Sequence, residues 1–254
     1  MKNKFFLFLI LFLKINAAPT QKYNIGLCIT ATNKYIKFVN PLIESARKFF
    51  LKNHNVTFFV FTDTFFEHQI DTQIIYLKHK PWPYSTMQRF EAYFNSKEIL
   101  TEIDYVFACD SDMLFLDNVS DEILHKRVCV THPLFWNNVE EAKKQYEDNL
   151  ISSAFVPQEM RKSYFAGGFY GGTAQEFTKL VECTAKNIRI DLEKNYIAIW
   201  HDESHLNKFF VDNPPTLILS PSYCYPENHF KWIQNFPFKK ILVALDKGYN
   251  EIRY

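Results

Sequence analysis

Glycine is scarce in this chain: six in 254 residues, with four of the six inside the run Tyr164–Gly172. Such concentration needs a local cause. Cysteine is sparse and odd in number, at five, and shows no metal-ligand spacing, which argues against a disulfide framework. Cys28 and Cys109 lie in apolar runs that read as buried strands, and Cys129, Cys183 and Cys224 are scattered. One bridge among these three stays open, because bridging needs Cα atoms within about 7 Å. An excess of charge of either sign is also missing. With 29 Lys and Arg against 28 Asp and Glu the formal balance is +1, so no broad field attracts nucleic acid or an acidic membrane. The chain has no internal repeat and no low-complexity linker.

No apolar run is long enough to span a bilayer, which takes about 20 residues. Phe5–Leu13 has nine; it follows the basic Lys2 and Lys4 and precedes the small Ala17-Ala18. Residues 1–20 therefore read as a cleaved signal peptide or a short signal anchor, with membrane association through the N-terminus in the second case. The sequons Asn55-Val56-Thr57 and Asn118-Val119-Ser120 fit a secretory route: Golgi lumen or membrane, secretion, or the periplasmic side in a bacterium.

What is abundant is apolar and aromatic side chain, 47% and 17% of residues, enough for one well-packed domain over 21–254. Strand-like Asn24–Ile29 and Val56–Thr62 flank Pro41–Leu51, which carries Leu42, Ala46, Phe49 and Phe50 at helical spacing. A third strand, Gln73–Leu77, precedes a helix starting at Ser85 with Gln88 in capping-box position, and then comes strand Tyr105–Cys109. This alternation predicts an α/β fold with a mostly parallel, Rossmann-like sheet flanked by helices, binding ligands beyond the strands' carboxyl ends. Residues 133–160 are the least regular and read as a helical insertion or flap.

Two motifs carry chemistry. The apolar Tyr105–Cys109 runs directly into Asp110-Ser111-Asp112 and then into apolar Met113–Leu116. Carboxylates in such surroundings are costly unless paired or bound to a cation, and in an extended segment residues i and i+2 reach the same ion. The alternative is a strand ending in an ordinary Asx turn. The second motif combines the glycines with Trp200-His201-Asp202-Glu203-Ser204-His205-Leu206-Asn207. Ala166-Gly167-Gly168 lets backbone approach a sugar ring, whereas Gly171-Gly172 fits equally a bulge leading into a helix capped by Thr173 and Glu176. His201 and His205 stand four apart, as in helical zinc sites, but Asp202 and Ser204 occupy the positions where a zinc hydrolase needs glutamate. A solvated helix start would also hold Asp and Glu; an aromatic, two histidines and two acids within six residues are what pyranose recognition uses.

Taken in order, these motifs resemble glycosyltransferase family 6, the group of the ABO transferases and α-1,3-galactosyltransferase, over nearly all of 24–253. Trp200–Asn207 is the strongest match; Ile25-Gly26-Leu27 with Lys34-Tyr35, Val60–Asp63, Trp82–Arg89, Asp110-x-Asp112, Tyr164–Gly172 and Leu219-Ser220-Pro221 add to it. The resemblance implies a GT-A-type single domain, Mn²⁺ at Asp110 and Asp112, a UDP-Gal or UDP-GalNAc donor, and retaining α-1,3 transfer to the 3-OH of a galactose-terminated glycan. It implies donor contacts at Ala31, Tyr35, Arg89, Asp110, Ser111, Asp112, Ala166, Gly167, Gly168, Asp202, Lys247 and Arg253. Acceptor contacts fall on His132, Trp200 and His201, and the catalytic nucleophile on Glu203. Ala166 and Gly168 are small, which leaves volume for the acetamido group of UDP-GalNAc. Departures fall on the acceptor side, with Pro226 in place of an acid and Gln145 in place of a hydroxyl residue, while Thr30 replaces an aromatic against uracil. The competing reading is a carbohydrate-binding relative that keeps the fold and turns over weakly.

Overall fold

The computed structural model describes residues 21–227 and 236–247. The opening βαβ unit forms as the apolar spacing predicts: strand β1 (Asn24–Thr30), helix α1 (Val39–Phe49), strand β2 (Asn55–Thr62). The helix begins and ends two residues earlier than its periodicity suggests. Phe50 is extended and bridges Val119, and Leu51 takes a left-handed φ of 44° that no helix continues through. Strand β3 (Thr72–Tyr76), helices α2 (Tyr84–Asn95) and α3 (Lys97–Thr101), and strands β4 (Tyr105–Asp110) and β5 (Met113–Phe115) follow.

Strand β6 (Arg127–Thr131) and the short helix α4 (Val139–Lys143) lead to strand β7 (Phe165–Thr173). Helices α5 (Ala174–Glu193) and α6 (His201–Asp212) precede strands β8 (Leu217–Leu219), β9 (Tyr225–Pro226) and β10 (Leu242–Ala244). Among the described residues the main sheet has seven strands in the order β3-β2-β1-β4-β7-β6-β8. Four of its six pairings are parallel and those of β7 with β4 and β6 are antiparallel. One face packs α1 with Leu42, Ile43 and Ala46 against Leu27, Ile29 and Phe107, and the other packs α2, α5 and α6 through Phe90, Phe177 and Phe209. This is the mostly parallel, helix-covered α/β sheet expected of a GT-A-type domain.

Two expected capping boxes do not form. Pro83 sits at the N-cap of α2, and its carbonyl accepts from the N–H and hydroxyl of Thr86, while Gln88 turns into the interior. Thr173 makes no side-chain cap on α5, and Glu176, which would supply the other half of the box, pairs with Arg127 at 2.9 Å instead. All five cysteines are free, which closes the question of a bridge. Gly171 and Gly172 have a packing cause. A Cβ on Gly171 would lie 2.4 Å from the Val106 carbonyl oxygen, and Gly172 has φ +152° with the Lys126 carbonyl 2.0 Å from its Cβ position. The 133–160 stretch forms α4 and a loop with a small core of its own, Ala142, Tyr146 and Val156 against Tyr164.

Candidate active site

Topology brings the two motifs together. The antiparallel ladder of β4 with β7 ends at Cys109 opposite Phe169, so Gly168, Gly167 and Ala166 lie beyond the ladder, on the side of Asp110. The chain does not run on extended through Asp110-Ser111-Asp112: it turns at Ser111 and Asp112 and returns as β5. Both carboxylates nonetheless line one cavity of 360 Å³ with His132, Ala166, Gly167, Gly168, Glu203 and Lys247. A second cavity of 540 Å³ holds Tyr35, Arg89 and Ser111, and shares Asp110, Asp112 and Lys247 with the first. The cleft thus has two lobes that meet at two carboxylates and a lysine.

Charges at this junction are paired. Asp110 accepts from Arg89 Nη1 at 2.5 Å, and the same guanidinium reaches Asp202 through Nε at 3.2 Å. Asp112 lies 3.0 Å from Lys247 Nζ. Burial raises the Asp112 carboxyl above its ordinary range while Lys247 pulls against the shift. Burial works against charge on Lys247 and Arg89, but the facing carboxylates outweigh it and both stay firmly protonated. Among the described residues no group of three or more His, Cys, Asp or Glu gathers to hold an ion. Asp110 and Asp112 still fit a hard cation, as two oxygen donors on a cleft wall that leave its other positions to a diphosphate.

Glu203 is the most perturbed acid of the cleft. It stands in the first turn of α6, and its Oε2 accepts from the Gly167 N–H at 2.7 Å. Burial lifts its pKa to about 8, Asp202 and Asp110 push the same way, and the Gly167 bond opposes them. A Cβ on Gly167 would come within 3.3 Å of that oxygen, so the glycine admits the carboxylate. Asn207, one turn on, fixes the helix by accepting from the Phe165 N–H at 2.8 Å and donating to its carbonyl at 2.9 Å. Far from being a solvated helix start, this turn buries Asp202, Ser204, His205 and Asn207. His132 accepts on Nδ1 from the Leu134 N–H at 3.2 Å, and burial lowers its pKa to about 4, so Nε2 carries the proton.

Other expected contacts lie differently. Ala31 packs in the core and leaves Thr30 and Thr32 to line the second lobe. Trp200 and His201 stand outside the lining of both cavities; His201 meets the exposed Trp82 edge-on at 4.8 Å, and Trp200 is half exposed. Arg253 lies outside the described residues. Sequence reasoning missed Met113, Cys224 and Glu227 in the first lobe and His79 in the second. His79 follows β3 at a strand end, the position where ligand contacts gather, whereas Cys224 carries no sequence signal.

A seven-stranded, mostly parallel sheet with an acidic turn at its carboxyl edge, facing a glycine strand and a buried carboxylate, defines a GT-A-type glycosyltransferase. The sequence model of glycosyltransferase family 6 matches residues 12–254, and the chain belongs to that family. It is 32% identical over 243 residues to the histo-blood group ABO system transferase 1 of Rattus norvegicus, covering 92% of this chain and 69% of that one. It is 30% identical to the globoside alpha-1,3-N-acetylgalactosaminyltransferase 1 of Homo sapiens over 80% of this chain and 61% of the relative. A bacterial relative, the O-antigen biosynthesis glycosyltransferase WbnI of Escherichia coli, is 25% identical over 81% of this chain and 89% of its own.

Proposed function

We propose that this glycosyltransferase moves N-acetylgalactosamine or galactose from a UDP-sugar to the 3-OH of a galactose-terminated glycan, forming an α-1,3 linkage with retention and requiring Mn²⁺. The observation that carries the reading is the two-lobed cleft, with Asp110, Asp112 and Lys247 where the lobes meet and half-buried Glu203 in the lobe walled by Ala166, Gly167 and Gly168. The second, larger lobe suits uridine and ribose beside Tyr35, and the first suits the transferred sugar. A cation bound at Asp110 and Asp112 would offset negative charge on the departing diphosphate. Lys247 and Arg253 add positive charge to the same leaving group, while Arg89 and Asp202 orient the donor sugar. Glu203, held by Gly167, acts on the anomeric carbon from the side opposite UDP, as nucleophile or as support for oxocarbenium-like charge. His132, Trp200 and His201 receive the acceptor, which attacks from the side that UDP leaves. Ala166 and Gly168 favour the acetamido donor, in keeping with the activity named for the human globoside relative.

The secretory route and a membrane attachment through residues 1–20 belong to the same proposal; those residues lie outside the described part, in which no helix is long and apolar enough to cross a membrane. The deciding experiment incubates purified protein with Mn²⁺, each of the two donors and a panel of galactosides. Transfer from one donor to a terminal galactose, with the product's anomeric configuration retained by NMR, is expected. Donor binding without transfer to any galactoside would replace this reading with that of a carbohydrate-binding relative.

A further inference from the structure

Glu147 lies between α4 and β7, 3% exposed, and belongs to none of the motifs above. Its carboxylate accepts three hydrogen bonds: Oε1 from the Asn149 N–H at 2.8 Å and the Tyr196 hydroxyl at 3.0 Å, and Oε2 from the Ile199 N–H at 2.7 Å. A second buried carboxylate, Asp191 near the end of α5, reaches back to the same loop. It accepts from the Ser152 hydroxyl at 2.5 Å and the Ser153 N–H at 2.6 Å, and stands 3.6 Å from His205 Nε2. Asp191 ties the 147–153 loop to the end of α5, and Glu147 ties it to the connection between α5 and α6. That connection ends in backbone far from its relaxed form, because His201, a non-glycine residue, has φ +50°. The Trp200 N–H is held within α6 by the Ser204 hydroxyl at 2.9 Å.

The body of α6 has other anchors. Asn207 is bonded to Phe165 through both its amide atoms, and the Glu203 carboxylate to the Gly167 N–H. The Glu203 N–H donates to the Trp200 carbonyl at 3.0 Å, so the start of the helix and its nucleophile-bearing turn share one backbone bond, but the Glu203 carboxylate and Asn207 are anchored on β7, away from Glu147.

We propose that Glu147 is a positioning residue for the acceptor: its buried carboxylate fixes Ile199 and so sets Trp200 and His201, leaving the Glu203 carboxylate to its anchor on Gly167. The inference rests on the reading of Trp200 and His201 as acceptor contacts. Glu147→Gln keeps the size of the side chain but turns an N–H toward one of three donors, which then loses its acceptor. Tyr196→Phe removes one bond of the three and is the milder change.

The test compares the whole protein with its Glu147→Gln, Tyr196→Phe and Trp200→Ala variants. Glu147→Gln is expected to raise KM for the acceptor about tenfold, and Tyr196→Phe about threefold, while UDP-sugar hydrolysis without acceptor stays within about twofold of wild type. Hydrogen exchange of the segment spanning Tyr196 to Trp200 should speed up in both, with exchange over 204–212 unchanged; this arm needs no turnover. Unaltered exchange at Ile199, or equal losses in hydrolysis and acceptor KM, would overturn the proposal. A rise in acceptor KM for Trp200→Ala but not for Glu147→Gln rejects Glu147 alone. No rise for Trp200→Ala rejects the acceptor reading of that tryptophan and the role of Glu147 with it.

Discussion

Glu203 has a pKa raised to about 8 because burial penalises its charge. To act on an electron-poor anomeric carbon it must be ionised, so kcat/KM for donor hydrolysis should climb close to tenfold per pH unit up to about 8 and then level. Glu203→Gln should lose transfer by about 10³-fold or more, measured as UDP release under saturating donor. The same shift has a stability counterpart. A folded-state pKa above the ordinary 4.5 means that the neutral carboxyl contributes stability fully below that value and loses it as pH rises through about 8. Without donor or cation, Glu203→Gln is therefore expected to gain on wild type in Tm by at least about 4 °C between pH 5 and pH 9, read by calorimetry. A constant difference across that range would place the carboxyl in a more polar setting than described. Arg89 bridges Asp110 and Asp202, so Arg89→Lys, which keeps charge but not the fork, should lower kcat/KM by about 10²-fold.

Along strand β7 the glycines divide by role. At Gly171 a Cβ would strike the Val106 carbonyl at 2.4 Å, and at Gly167 it would stand 3.3 Å from the Glu203 carboxylate. Gly171→Ala should cost about 3 kcal/mol or more in denaturant melts. Gly167→Ala should melt within about 2 °C of wild type yet lose about tenfold or more in kcat, because it moves a reacting group rather than the sheet. The sequence separated Gly167-Gly168, read as facing a ligand, from Gly171-Gly172, but left ligand and bulge open for the second pair until the Val106 and Lys126 carbonyls beside it were known. What could be read were features with local causes. The continuous apolar runs of β1, β2 and β4 and the acids at and just beyond the end of β4 were legible because burial acts residue by residue. The capping box at Ser85 was misread because α2 starts at Tyr84, which puts Ser85 inside the helix with its N–H on the Pro81 carbonyl, and the box at Thr173 because its acid, Glu176, pairs with Arg127. Cys224 and Glu147 were invisible, the first because it meets Gly168 only through the fold and the second because its three donors follow it in sequence by up to 52 residues.

Across the whole molecule the formal charge is +1, so long-range steering of a dianionic nucleotide is weak and the attraction has to arise inside the cleft. Chelation is expected to stop transfer, and the Asp110→Asn/Asp112→Asn double variant to lose it by about 10²-fold or more with added Mn²⁺; full activity of that variant without metal would remove the cation from the mechanism. The ion pairs Asp110–Arg89 and Asp112–Lys247 bear on how ligands arrive. A lone divalent ion meets carboxylates that already have partners, and a lone nucleotide diphosphate meets two negative groups. If both arrived together they would exchange partners, with Asp110 and Asp112 holding the ion and Lys247 freed for the phosphates. Titration calorimetry should then find Mn²⁺ binding about tenfold or more tighter with UDP present, and UDP tightened by the same factor with Mn²⁺. In the language of circuits, such a cleft would act as a coincidence detector, answering most strongly when both inputs arrive together.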